Sequence, residues 1–195
     1  MKKNLRFTGA EHMHLHIQSI RKLAFVASLF AACTAVRAQQ KSAPNWDAWK
    51  FLQGKWVGDG YNEKTQGSGY ASFELDLQNR VWVRRNHAEY PGANGAPAQV
   101  HEDLMIIYFD HATSQTRAFY TDTEGHVINY TASFSSDGKQ LVFLGDRTAS
   151  GPQYRLTYDV VDADHMTVEL DMAQPAAPDT WQKIVFGKIR KLASS

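Results

Sequence analysis

Cysteine is nearly absent, and no motif of nucleotide, phosphate or acyl chemistry is present. The single cysteine, Cys33, stands inside an N-terminal apolar run, so the chain beyond it has no thiol for a disulfide or a cysteine metal site. There is no Gly-x-Ser-x-Gly elbow, P-loop or dinucleotide fingerprint, and Gly58-Asp59-Gly60 lacks the helix that such a loop needs. No two histidines have the His-Glu-x-x-His spacing of a metalloprotease. Lysine and arginine form no cluster, which argues against nucleic acid as a partner. The chain also shows no internal repeat, no helical stretch long enough for a βαβ unit and no sign of a second domain.

What is present suits a folded domain: of 195 residues, 43% are apolar and 12% aromatic, enough to build a core. The only long apolar run, Leu23 to Val36, follows Arg21-Lys22 and leads into Val36-Arg37-Ala38. It is too short and too rich in alanine for a membrane span, and reads as a secretory signal peptide over residues 1–38 with cleavage after Ala38. Its extended n-region points to Met13 as an alternative start. Lipidation of Cys33 is the less favoured reading, because Phe30 is a poor residue three positions before it. Export to a periplasm or beyond the cell is therefore expected. Of 21 Lys/Arg and 20 Asp/Glu, six and one lie in residues 1–38, leaving 15 and 19, so the exported part carries a net charge of −4.

After a polar leader over 39–45, the domain is expected to span 46–192. Asn45 can cap a helical turn that puts Trp46, Trp49 and Leu52 or Phe51 on one side. Beyond Gln53-Gly54, ten stretches read as strands: 55–61, 69–77, 80–90, 100–110, 116–122, 126–134, 140–145, 153–161, 166–172 and 181–190. Turn signals such as Leu77-Gln78-Asn79-Arg80, Glu124-Gly125 and Ser136-Asp137-Gly138-Lys139 make neighbours antiparallel. Ten such strands in succession tend to close, because closure removes unpaired edges. The expected fold is all-β, a single up-and-down antiparallel barrel behind a short N-terminal helical turn.

Gly54-Lys55-Trp56-Val57-Gly58-Asp59-Gly60, a Gly-x-Trp-x-Gly-x-Gly run on the first strand, resembles the opening of the calycin group of barrels, which includes lipocalins and fatty-acid-binding proteins. In its longer form it looks most like nitrobindin-type haem-binding barrels. The resemblance implies that Trp56 plugs the closed end and that a basic residue near the end of the last strand packs across its ring; Arg190 is the matching candidate and Lys188 the second. The nitrobindin likeness also implies haem, but the last third of the chain offers only His165, in an expected turn.

If Trp56 begins the first strand at the closed end, the connections after strands one, three, five, seven and nine lie at the open end. His87, His101 and His126 fall there, with Glu89, Glu102, Asp103, Asp122 and Glu124. Setting Tyr90 opposite Val100 puts His87 across from Asp103 and Glu89 across from His101. Alternation alone does not say which face of strands three and four points inward, and a one-residue slip swaps them. The Glu-Gly turn brings Asp122 across from His126. Three readings stand open: ordinary surface ion pairs; a site for a small hydrophobic or amphipathic ligand lying against Met105, Phe119, Tyr130, Phe143 or Tyr158; and a catalytic, haem or metal site on the same histidines. The ligand reading names His87, His101, Asp103, His126, Arg85, Tyr108, Tyr120 and Tyr130, with no cofactor. The arginines and tyrosines of the strands, Arg84, Arg117, Arg155, Tyr154 and Tyr158 among them, could form an internal carboxylate-binding set but read as strand-surface residues.

Overall fold

Ten stretches are rich in β-branched and aromatic residues, most with apolar side chains at every second position, so a strand can bury one face against a shared core and leave the other wet. The computed structural model describes residues 42–60, 67–92 and 95–193. The expected signal peptide, the start at Met13 and Cys33 lie outside the described residues. The strands are β1 (Gly54–Gly58), β2 (Ser68–Asp76), β3 (Val81–Tyr90), β4 (Gln99–Asp110), β5 (Gln115–Asp122), β6 (Val127–Phe134), β7 (Gln140–Gly145), β8 (Gln153–Val160), β9 (His165–Ala173) and β10 (Trp181–Lys191). Each pairs antiparallel with its sequence neighbours, and β1 pairs with β10, closing a ten-stranded up-and-down barrel. β1 is the shortest strand and meets β10 at only three positions, Trp56 to Gly58 against Lys191 to Ile189.

A 3-10 turn, Asp47–Leu52, precedes β1. Asn45 Oδ1 accepts the Asp47 N–H at 2.8 Å, an Asx bond that starts the turn. With three residues per turn, positions 46, 49 and 52 stack on one side, and Trp46, Trp49 and Leu52 are all buried. They stopper one end of the barrel. Trp49 meets Phe134 edge-on at 5.2 Å, and Trp46 Nε1 donates to the Asn79 carbonyl in the β2–β3 hairpin at 2.9 Å. That hairpin turns through three successive left-handed residues, Leu77, Gln78 and Asn79 (φ 49°, 58° and 63°).

Trp56 is buried at this closed end and donates from Nε1 to the Leu52 carbonyl at 2.7 Å. The cation over its ring is Lys191, with Nζ 4.8 Å from the centroid, and the same ammonium donates to the Phe51 carbonyl at 2.8 Å. The expectation of Arg190 is thereby corrected. Arg190 stands opposite Val57 and shares its outward face, whereas Lys191 stands opposite Trp56 and points inward with it.

The lumen is filled from the closed end upward by Phe73, Trp82, Ile107, Phe143, Leu141 and Tyr158, with Met105 and Tyr130 above them. Phe143 touches Trp49, Tyr130 and Tyr158 edge-on at 6.0 to 6.2 Å, so one aromatic chain runs from the stopper into the middle of the barrel. Phe119, expected beside a ligand, stands opposite Asn129 and Ile106 on the outer face and is 37% exposed.

Candidate functional site

The β3–β4 pairing places the polar residues. Tyr90 stands opposite Gln99, His87 opposite Glu102, Ala88 opposite His101 and Asn86 opposite Asp103. This is one residue away from the expected register, so His87 does not face Asp103 and Glu89 does not face His101. The long connection from residue 91 to residue 98 is the reason, since it has no two-residue turn to pin the alignment. The inward face of β3 carries Trp82, Arg84 and Asn86; that of β4 carries His101, Asp103, Met105 and Ile107.

The shift sorts the expected site residues into two groups. His87 lies on the outer face, stacked on Tyr70 at 5.7 Å, with Nδ1 3.1 Å from Glu102 and Nε2 2.9 Å from Glu89. Those two hydrogen bonds raise its pKa above the ordinary histidine value. Arg85 shares that face, and the two line an open groove of about 350 Å³ with Tyr70, Glu102 and Leu104. Tyr108 is also outward, opposite Arg117. His101, Asp103, His126, Tyr120 and Tyr130 are brought together at the upper lumen and mouth.

Arg84 is at the centre of that second group. Its Nη1 donates to Asp103 Oδ1 at 2.5 Å, and both side chains are almost wholly enclosed. Burial alone would lower the Arg84 pKa, but the surrounding Tyr158, Asp103, Tyr120 and Tyr130 raise it, so the guanidinium stays charged. The other Asp103 oxygen lies 3.2 Å from His101 Nε2, and His101 Nδ1 lies 2.8 Å from Glu124 Oε2. Asp122, directly opposite Asp103 across β4 and β5, accepts from the backbone N–H groups of Glu124 and His126 and from Tyr120 Oη at 3.0 Å. His126 Nδ1 is 2.8 Å from Asp122 Oδ2, the acid–imidazole pair expected of the Glu124-Gly125 turn. Desolvation works to raise the Asp122 pKa, but these bonds together hold it below the usual carboxylate value.

Three polar atoms inside the lumen are sealed from solvent and have no hydrogen-bond partner: Trp82 Nε1, Arg84 Nε and Tyr158 Oη. Tyr158 is near enough to Arg84 to feel its charge, but its hydroxyl makes no bond of proper geometry to the guanidinium. Burial raises the Tyr158, Tyr120 and Tyr130 phenols well above their ordinary value, so all three stay protonated. An unpaired buried polar group costs about 1 to 3 kcal/mol. Arg84 Nε and Tyr158 Oη lie close together, and Trp82 stands two residues before Arg84 on the same face of β3, so the lumen around Arg84 is suited to meet a hydrogen-bond acceptor.

Arg84, expected at the strand surface, and Tyr158, expected either there or beside a ligand, are buried in the lumen with Trp82, and Trp82 carried the signal. The bulkiest apolar residue of β3 must point inward, and Arg84, two residues on, shares its face. Arg117 and Arg155 are outside, paired with Asp146 and Asp171. For haem, the residues do not fit: among the described residues no histidine belongs to the buried core, and His165 is bonded to Asp162 in the β8–β9 turn at the closed end. Among the described residues no helix is long and apolar enough to cross a membrane. No protein-family model matches the chain, and no curated protein matches its sequence.

Proposed function

We propose that this is an exported, calycin-like barrel that binds a small amphipathic molecule in the upper lumen, through a neutral acceptor group such as a carbonyl. The single observation behind it is the set of orphaned buried atoms, Trp82 Nε1, Arg84 Nε and Tyr158 Oη. Two of these can only donate and the third can donate, so the complementary group is an acceptor. The aromatic floor of Phe143, Tyr130 and Met105 supplies the apolar surroundings usual in small-ligand sites.

Charge decides the kind of acceptor. Asp103 already neutralises Arg84, and a ligand carboxylate would add a second anion beside it in a poorly solvated space. An uncharged carbonyl meets the same donors without that cost. Export is supported by the signal-like run before the barrel, and the fold by the closed ten-stranded meander.

The test is extraction of the purified protein followed by mass spectrometry, with titration by a matched pair of probes, a long-chain methyl ketone and the fatty acid of equal length. A bound or saturable neutral amphiphile, preferred over its carboxylate counterpart, is expected. No extracted molecule and no saturable binding of either probe would refute the reading.

A further inference from the structure

We propose that the barrel mouth holds a divalent transition-metal ion, of the zinc class, on His101 Nδ1, Asp122 and Glu124. Each of these side chains offers one ligand atom, and the three atoms lie within 4.8 Å of one another. They come from three places that the fold holds in register: the start of β4, the end of β5 and the tight turn after it. An imidazole nitrogen and two carboxylate oxygens, with an open position toward the solvent, form a donor set suited to zinc and its neighbours; calcium and magnesium favour oxygen alone.

The surroundings of the three ligands follow the same logic. A metal-bound histidine normally gives its other ring nitrogen to a carboxylate, which fixes the tautomer and aims the ring. His101 does this, with Nε2 held by Asp103 and Asp103 anchored in turn by the buried Arg84. Nδ1 is the nitrogen left facing the mouth, where it meets Glu124. A carboxylate cannot donate, so the His101–Glu124 contact needs a proton between the two groups; a cation in the triangle takes that proton's place.

Charge balance points the same way. Asp103 and Asp122 stand directly opposite each other on β4 and β5, and both side chains are nearly sealed. Like charges so placed destabilise a strand pair. Glu124 adds a third carboxylate, and Arg84 answers only Asp103. Asp122 is nonetheless held in place by two backbone N–H groups and Tyr120, as a preformed ligand would be. The contact from His126 to Asp122 Oδ2 is the one that an arriving ion displaces. This proposal is independent of the neutral-ligand reading, since it uses none of the three orphaned lumen atoms.

The test is calorimetric titration of chelator-treated protein with zinc chloride, and separately with calcium chloride, alongside Glu124→Gln, His101→Gln and His87→Gln. One zinc per chain is expected, with affinity falling about tenfold or more in each of the first two variants and unchanged in His87→Gln, because His87 belongs to the separate acid–imidazole cluster on the outer face. Glu124 is half exposed, so its variant keeps the fold, and circular dichroism confirms this. Cobalt in place of zinc should give visible absorption that disappears in His101→Gln. Absence of saturable zinc binding, loss of binding in His87→Gln instead, or calcium bound as tightly as zinc would each overturn the proposal.

Discussion

Replacing Tyr158 by phenylalanine should make the ligand-free protein more stable, an unusual direction for a change in the middle of a core. The ring of Tyr158 packs edge-on against Phe73 at 5.8 Å and Phe143 at 6.2 Å, and phenylalanine keeps both contacts. Only the hydroxyl is lost, and it is sealed and unpartnered. Removing an orphaned buried hydroxyl recovers part of its desolvation penalty, about 1 to 2 kcal/mol. In a domain of this size that corresponds to a rise in Tm of about 3 to 6 °C. Tyr120→Phe serves as the contrast, because its hydroxyl donates to the Asp122 carboxylate at 3.0 Å; that change should cost about 1 to 2 kcal/mol. For ligand affinity, Tyr158→Phe should act in the opposite sense to its effect on stability, weakening binding of the ketone probe about five- to tenfold. Thermal unfolding with and without the probe reads both quantities. If Tyr158→Phe destabilises the free protein by 1 kcal/mol or more, its hydroxyl has a partner and the reasoning from orphaned donors fails.

Three further outcomes follow from other parts of the barrel. Lys191→Met should cost about 1 to 2 kcal/mol in urea unfolding, through loss of the cation over Trp56 and of the bond to the Phe51 carbonyl, whereas Arg190→Ala should stay within about 0.5 kcal/mol. Leu77→Gly should stabilise by about 0.5 to 1 kcal/mol, since Leu77 is exposed and left-handed, and glycine removes that strain at a smaller cost in chain entropy; a loss on substitution would show that the turn is not strained. The folded pKa of His87 is raised by Glu89 and Glu102, so its stabilisation is fully present below the unfolded value near 6.5 and is lost as pH rises through the higher folded value. The stability gap between the parent and His87→Gln should therefore shrink from pH 6 toward alkaline pH, as followed by urea midpoints; a gap that widens would contradict the assigned pairs.

The strands were legible because period-two alternation and Gly, Asn and Asp turns are local signals, and the closed end followed from Trp56 and the parity of hairpins. Local signals also placed the pair of Asp122 and His126, since a Glu-Gly turn leaves little freedom. The misplacements share one cause. Arg190 for Lys191 and His87 opposite Asp103 are both slips of a single residue, and in a strand a single residue exchanges inside for outside. Nothing within β3 and β4 pins their alignment, because their connection is long; what settles it is that Trp82 must share the core with Leu75 and Ile107 on its neighbours. That is a long-range packing constraint. The same constraint put Arg84 inside, where its polar character alone would have kept it out.

The three-position seam between β1 and β10 bears on how the chain reaches this state. From β2 to β10 each strand needs only its sequence neighbour, so pairing can advance hairpin by hairpin through connections far shorter than the chain between β1 and β10. Trp56 and Lys191 are separated by almost the whole domain, and joining them carries the largest loop-closure entropy for the fewest paired positions. The ring therefore closes last and reopens first, and the Lys191 ammonium that reaches back to Trp56 and Phe51 acts as its latch. Weakening that latch should accelerate unfolding far more than it slows folding.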